Sequence, residues 1–329
     1  MYVSGVFRVG VIGLGSMGRN HLRVLQHLID AEPVATYDPI NHGGDGLPHY
    51  TDFEAFLDQG LDYAVVAAPT DSHFDLGCRL VEHGTACLIE KPLAGTSSDA
   101  TALADIFASH SVALGVGHVE RHNTAVQQAR LRLQQGLIGE VIQYASIRQG
   151  PFPGRIRDVG VALDLATHDI DVVSFLQGQP YASVSCVSQF ISGGAHEDSL
   201  VAVGRLGDGT AVNHVVNWMS PFKERRLVIL GTKGALVVDT LGSDLIYYEN
   251  AAIEVEWDDL AHFRGMVEGN VTRLAFSKKE PLVEEHLSFQ ARILGKPSDI
   301  ADGKAGALNV AVAEAFLESS RVGGQIGIC

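Results

Sequence analysis

Long apolar runs are missing from this chain. No stretch approaches the ~18 unbroken apolar residues of a membrane span, and no basic segment followed by a signal-type apolar run opens it. Cysteine is scarce as well. Cys78, Cys87, Cys186 and Cys329 are scattered, with no C-x-x-C pair and no metal-type spacing. That usage fits reduced structural thiols in the cytoplasm and no metal centre. Positive charge is short: 24 Lys and Arg stand against 39 Asp and Glu, a net charge of -15. Nucleic-acid and anionic-membrane partners are therefore not expected, because phosphate neutralisation needs a basic face. An anionic cofactor would have to find its positive potential at helix N-termini and the few arginines. What is present is a soluble globular composition, 46% hydrophobic and 19% charged over 329 residues, enough for two domains.

Up to about residue 121 short apolar runs alternate with helical stretches. Phe7–Ile12 ends in glycines, and residues 17–29 follow with Leu22, Leu25 and Leu28 at helical spacing. Residues 34–37, 63–68, 86–89 and 112–116 read as further strands, with helices over 72–83 and 98–109. The alternation predicts right-handed βαβ crossovers and a doubly wound parallel Rossmann sheet in an α/β domain, residues 1–121. Beyond Arg121 the rhythm changes. A helix over 125–135 and a strand over 141–148 lead into a loop, residues 150–160, and a helix from about Asp164 to Leu176. Six alternating strands follow, punctuated by turns such as Gly207-Asp208-Gly209 and Gly231-Thr232-Lys233-Gly234, and two helices close the chain. Residues 122–329 thus predict an α+β domain on a large, mostly antiparallel sheet, suited to substrate binding and oligomerisation.

Gly13-Leu14-Gly15-Ser16-Met17-Gly18 fits G-x-G-x-x-G between a strand and a helix. The first glycine allows the tight turn, the second lets a pyrophosphate approach the backbone, and the third lets helix and strand pack closely. Asp38 follows Gly18 by 20 residues at the end of the second strand. Its carboxylate suits ribose hydroxyls and repels a 2′-phosphate, and no Arg or Lys lies between Arg23 and Arg79 to welcome one. The expected cofactor is NAD rather than NADP. The competing reading is a glycine turn that only packs.

Glu90-Lys91-Pro92 stands at the end of the strand over 86–89, where ligands of open α/β sheets bind. The alternative is a surface lysine paired with Glu90. Asp164 and His168 are four residues apart on a helix, so they share a face, and Asp171 continues the stripe. A histidine oriented by a carboxylate can shuttle a proton near neutral pH. The bland alternative is a polar helix surface or a locally satisfied core histidine.

Together these residues resemble the glucose–fructose oxidoreductase, inositol dehydrogenase and rhizopine-catabolism (Gfo/Idh/MocA) family. The resemblance runs over nearly the whole chain: GLGSMG at 13–18, AAPT at 67–70, EKP at 90–92, GHVERHN at 117–123, DLATHDID at 164–171 and GTKG at 231–234. It implies a sugar dehydrogenase in which Lys91, Asp164 and His168 line the catalytic site. His168 would transfer the proton and Lys91 would hold the reacting oxygen. It assigns cofactor contacts to Gly13, Gly15, Ser16, Met17, Gly18, Asp38, Pro69, Thr70, His73, Glu90 and Lys91, and adds His118 on the substrate side. It also implies a homodimer or homotetramer. The pattern over 117–123 and 151–171 is most similar to the UDP-N-acetylglucosamine 3-dehydrogenase branch. Two departures are His122 where that branch usually has phenylalanine and Thr124 where it has proline.

Between Arg132 and Arg205 the only Arg or Lys residues are Arg148, Arg155 and Arg157, flanking the loop before the Asp164 helix. Three guanidiniums there suit a diphosphate, which arginine binds bidentately. They could instead pair with Asp158 and Glu140 or with a neighbouring subunit, and Arg225 and Arg226 are a further basic pair. The expected substrate is a UDP-N-acetylhexosamine oxidised at the 3-position, with a free cyclic polyol or sugar as the alternative. A non-catalytic NAD-binding regulator is the reading from a different class.

Overall fold

The computed structural model describes residues 5–41, 43, 46–152, 159–251 and 269–328. The chain divides into two compact units, one of Met1–His122 with Lys279–Glu314 and one of Asn123–Lys278 with Ala315–Cys329.

The first unit is a six-stranded parallel sheet. Its strands are β1 (Phe7–Ile12), β2 (Ala31–Tyr37), β3 (His49–Tyr50), β4 (Tyr63–Val66), β5 (Ala86–Glu90) and β6 (Leu114–Gly117). Their order is β3-β2-β1-β4-β5-β6, so the chain reverses its direction of growth between β1 and β4. The carboxyl ends on either side of that reversal form the ligand-binding edge of such sheets. Every residue of β4 and β5 is buried, as the near-continuous apolar runs require of strands covered on both faces. Helices α1 (Ser16–Leu25), α3 (His73–Glu82) and α4 (Ser97–Ser109) are the crossovers, and α2 (Phe53–Leu57) is a short extra turn. Thr96 caps α4 by accepting the Asp99 amide at 3.1 Å.

Strand β2 begins at Ala31, three residues before the apolar run that signals it. Its pairing with β1 shifts between Val9 and Gly10, leaving Val34 as an extra residue beside Pro33. Proline lacks the ladder N–H and is tolerated at such a bulge. A later segment completes this core. Helix α7 (Pro281–Ile293) carries Phe289 into the cluster formed by Phe7, Val9, Val11, Tyr63 and Leu88, and Ile300 joins it. Val116 N–H donates to the Ala301 carbonyl at 2.8 Å.

Among the described residues the second unit forms a nine-stranded sheet in the order β14-β13-β12-β11-β7-β10-β9-β8-β15. Its strands are β7 (Val141–Pro151), β8 (Tyr181–Gln189), β9 (Ser199–Leu206), β10 (Ala211–Asn217), β11 (Met219–Gly231), β12 (Gly234–Asp239), β13 (Asp244–Glu249), β14 (Val271–Leu274) and β15 (Ile326–Gly327). All neighbours are antiparallel except β7 and β10. Strand β10 buries every second residue, the period-2 pattern of a sheet packed on one face. On the other face Val187 and Val201 lie directly opposite each other and stay more than half exposed, as does Val203. Helix α5 (Thr124–Gln134) packs on α6 (Thr167–Gln177), with the Arg130 guanidinium 4.3 Å from the Phe175 ring centre. The last helix, α8, spans Gly303–Val322.

Candidate functional site

The glycine turn after β1 separates three physical demands. Gly13 has φ +86°, and a methyl on it would stand 2.6 Å from the Ala67 carbonyl oxygen. A methyl on Gly18 would collide with the Gly13 carbonyl, so this residue lets α1 close on the strand. Gly15 is different: its φ is -69°, open to any residue, and among the described residues nothing lies within 4 Å of a methyl placed there. The protein's own packing does not require glycine at that position, whereas close approach of a ligand does. Gly15 is also the N-cap of α1, with no side-chain cap and no acidic residue in the first turn. Ser16 is exposed and Met17 partly so. Uncapped first-turn amides attract an anion such as a pyrophosphate.

Asp38 lies at the end of β2 and is 6% exposed. Its Oδ2 accepts Leu14 N–H at 2.7 Å and Asn41 Nδ2 at 2.9 Å, and its Oδ1 accepts Ile40 N–H and Asn41 N–H at 2.8 Å each. Burial alone would raise its pKa, but these donors outweigh it and bring the value down to about 2. The carboxylate is therefore a fixed negative charge beside the glycine turn. The open space at Gly15, the uncapped helix and this anion fit NAD, which when bound supplies the hydride acceptor.

Lys91 follows β5 directly, is partly buried, and precedes Pro92 through a cis peptide bond. Its amide donates to Glu90 Oε2 at 3.2 Å. His73 is buried between two carbonyls, with Nδ1 2.9 Å from Pro92 O and Nε2 3.0 Å from Ala68 O. Burial lowers its pKa against the opposing pull of the two carbonyls, and the ring bridges the turn after β4 and the turn after β5. Thr70 is buried in the single 3₁₀ turn after β4, next to exposed Pro69. His118, just past β6, is buried with Nε2 3.2 Å from Asn309 Nδ2.

In the second unit Asp164 and His168 are both partly buried, but the helix that carries them is not uniform. Residues Ala162–Ala166 form a π turn that passes into α6 at Thr167. Such a turn holds one residue more than an α turn and recurs at functional sites. Asp171 is buried on the same helix. Glu197, which no motif marks, secures the entry: its Oε1 accepts Ala162 N–H at 2.8 Å, and its carboxylate fills the space a side chain at Gly160 would need. Arg148 is 2% exposed and its guanidinium grips Asp169 Oδ1 at 2.9 Å, so its charge is applied to α6. Arg155 and Arg157 lie outside the described residues.

Sequence reasoning also missed His21, Tyr63 and His286, which bond in series to Glu90 inside the first unit. No local pattern could have found them, since His21 and His286 are 265 residues apart.

Residues 7–118 match the oxidoreductase family with an NAD-binding Rossmann fold, Gfo/Idh/MocA, and residues 126–237 match the Gfo/Idh/MocA C-terminal domain. Among curated relatives, the UDP-N-acetylglucosamine 3-dehydrogenase of Acidithiobacillus ferrooxidans is 27% identical over 94% of this chain and 98% of its own. The NAD(+)-dependent scyllo-inositol 2-dehydrogenase of Bacillus subtilis (strain 168) is 26% identical over 71% of this chain and 74% of its own. A solved structure of the Acidithiobacillus ferrooxidans enzyme superposes with a TM-score of 0.82 at 24% identity, covering 96% of this chain and 98% of that one, a likeness of fold. The chain belongs to the Gfo/Idh/MocA family and is an NAD-dependent oxidoreductase.

Proposed function

We propose that the protein oxidises a secondary hydroxyl of a sugar ring to a ketone, or runs the reverse reaction, with NAD as hydride partner. Lys91 of the first unit holds the reacting oxygen and stabilises the negative charge that develops on it. His168 of the second unit takes the hydroxyl proton as general base, and Asp164 orients its ring. The observation that carries this reading is the coexistence of a ligand-shaped glycine turn with a lysine at the carboxyl end of β5, on the binding edge of the sheet.

The preferred substrate is a UDP-N-acetylhexosamine oxidised at the 3-hydroxyl. Support comes from similarity to the UDP-N-acetylglucosamine 3-dehydrogenase over nearly the full length of both chains. Arg155 and Arg157 are the proposed diphosphate ligands, with Arg148 supporting α6 through Asp169. His118 is proposed on the substrate side. The second reading, a cyclic polyol substrate, is favoured by the similarity to the inositol dehydrogenase. Steady-state assays of NADH formation decide: turnover with UDP-N-acetylglucosamine and none with inositols supports the first reading, and the reverse selects the second. NAD binding by calorimetry without turnover on a broad sugar panel would instead indicate a regulator.

The exposed Val187, Val201 and Val203 support assembly of a homodimer or homotetramer through the open face of the large sheet. Analytical ultracentrifugation of Val201→Lys tests this, with dissociation expected. A reduced, cytoplasmic setting is consistent with the free thiols Cys78, Cys87 and Cys186.

A further inference from the structure

Glu90 ends β5 with its side chain folded inward over Gly117, where a methyl would stand 3.0 Å from Oε2. While Oε2 accepts the Lys91 amide, Oε1 faces His21 Nε2 at 2.8 Å. His21 Nδ1 is 2.9 Å from His286 Nε2, and His286 Nδ1 is 3.1 Å from the Tyr63 hydroxyl. His21, His286 and Tyr63 have no exposed surface. The four residues come from α1, α7, β4 and β5, so only the folded unit assembles them.

The proton inventory of this chain is constrained. Burial works against the Glu90 carboxylate, but the His21 hydrogen bond, the charges of His21 and Lys91 and the Lys91 amide together hold its pKa below the ordinary value. Burial, with His21 and His122 nearby, pushes His286 well below 6.5, so its ring offers one donor and one acceptor. An ionised Glu90 accepts only, which makes His21 Nε2 a donor. A buried carboxylate stripped of such a donor is costly to keep charged.

We infer that His21 and His286 are positioning residues for Lys91: through Glu90 they hold an ionised carboxylate against the main chain of the lysine, giving its ammonium a fixed counter-charge. The inference rests on the role proposed above for Lys91.

The test uses the full chain with His286→Phe, His286→Gln and His21→Phe. The first readout needs no turnover: acylation of the Lys91 amine, mapped by mass spectrometry relative to exposed Lys304. Lys91 is expected to react at least about threefold faster in both Phe variants, because the Glu90 carboxylate, less well held in its ionised form, gives the ammonium less counter-charge, with His286→Gln recovering most of the difference. The second readout is ¹⁵N NMR of histidine rings in the wild-type protein, where His21 Nε2 is expected to carry a proton. In kinetics, His286→Phe is expected to lower kcat about tenfold with the Kd for NAD within about twofold. Unchanged Lys91 reactivity in folded His286→Phe, or an unprotonated His21 Nε2, overturns the inference. Should the Phe variants not fold, the wild-type spectrum and His286→Gln decide it. A wild-type protein that turns over no sugar or polyol defeats the proposed function, while acylation and NMR still judge the chain.

Discussion

Asp38 accepts the Leu14 amide at 2.7 Å, so the residue that ends β2 also braces the glycine turn that ends β1. This contact ties cofactor affinity to the stability of the turn. The Asp38 pKa, lowered from 3.8 to about 2, contributes roughly 2 kcal/mol of stability at neutral pH. Because the folded value is the lower one, that contribution is complete above pH 3.8 and is lost as the pH falls toward 2. Asp38→Asn should weaken NAD binding by about tenfold or more and remove this acid-range slope. Calorimetry and urea unfolding at several pH values check both.

Gly15 and Gly18 should respond oppositely to alanine. Gly15→Ala meets no atom of the described residues, so its stability should stay within about 1 kcal/mol of wild type while NAD affinity falls at least about tenfold. Gly18→Ala drives a methyl into the Gly13 carbonyl and should destabilise the first unit itself, by about 2 kcal/mol or more. Thermal melts with and without NAD separate the two.

Arg148 and Asp169 form a nearly buried ion pair, and removing one partner strands the other. Arg148→Met should cost about 3 kcal/mol, and Arg148→Met with Asp169→Leu should cost less than the single change. Denaturant unfolding of the four proteins of the cycle measures this. A loss in the double variant equal to the sum of the two single losses would show that the pair does not act as a unit.

Much of this architecture is legible from local pattern. The apolar runs 63–66 and 86–89 in β4 and β5, the alternation in β10 and the glycine turn each record a backbone environment in a few adjacent residues. What escapes is set by contacts distant in sequence. The bulge at Pro33 shows only in pairing with β1, and the π turn at Ala162–Ala166 replaces the plain α-helix expected from Asp164 onward. The hold of Glu197 on Ala162 and the His21–His286 contact join residues that share no motif. In the sequence Arg148 reads as a diphosphate ligand beside Arg155 and Arg157, because Asp169, 21 residues on, gives no sign of being its partner.

The proposed roles of His168 and Asp164 predict different losses. His168→Ala should lower kcat by about 10²–10⁴ with NAD affinity within about twofold, since it removes the proton acceptor and nothing of the cofactor site. Asp164→Asn, which keeps the shape and loses the charge, should lower kcat less, by about tenfold to a hundredfold. Stopped-flow traces with saturating NAD distinguish a loss in chemistry from a loss in binding.

The most direct test of the whole account is NADH formation by the wild-type protein offered UDP-N-acetylglucosamine and, separately, scyllo- and myo-inositol, with His168→Ala run alongside. The account predicts reduction of NAD with the nucleotide sugar, little with the inositols, and near-complete loss in the variant. Turnover of an inositol alone would contradict the proposed substrate, and a His168→Ala protein as active as wild type would contradict the mechanism.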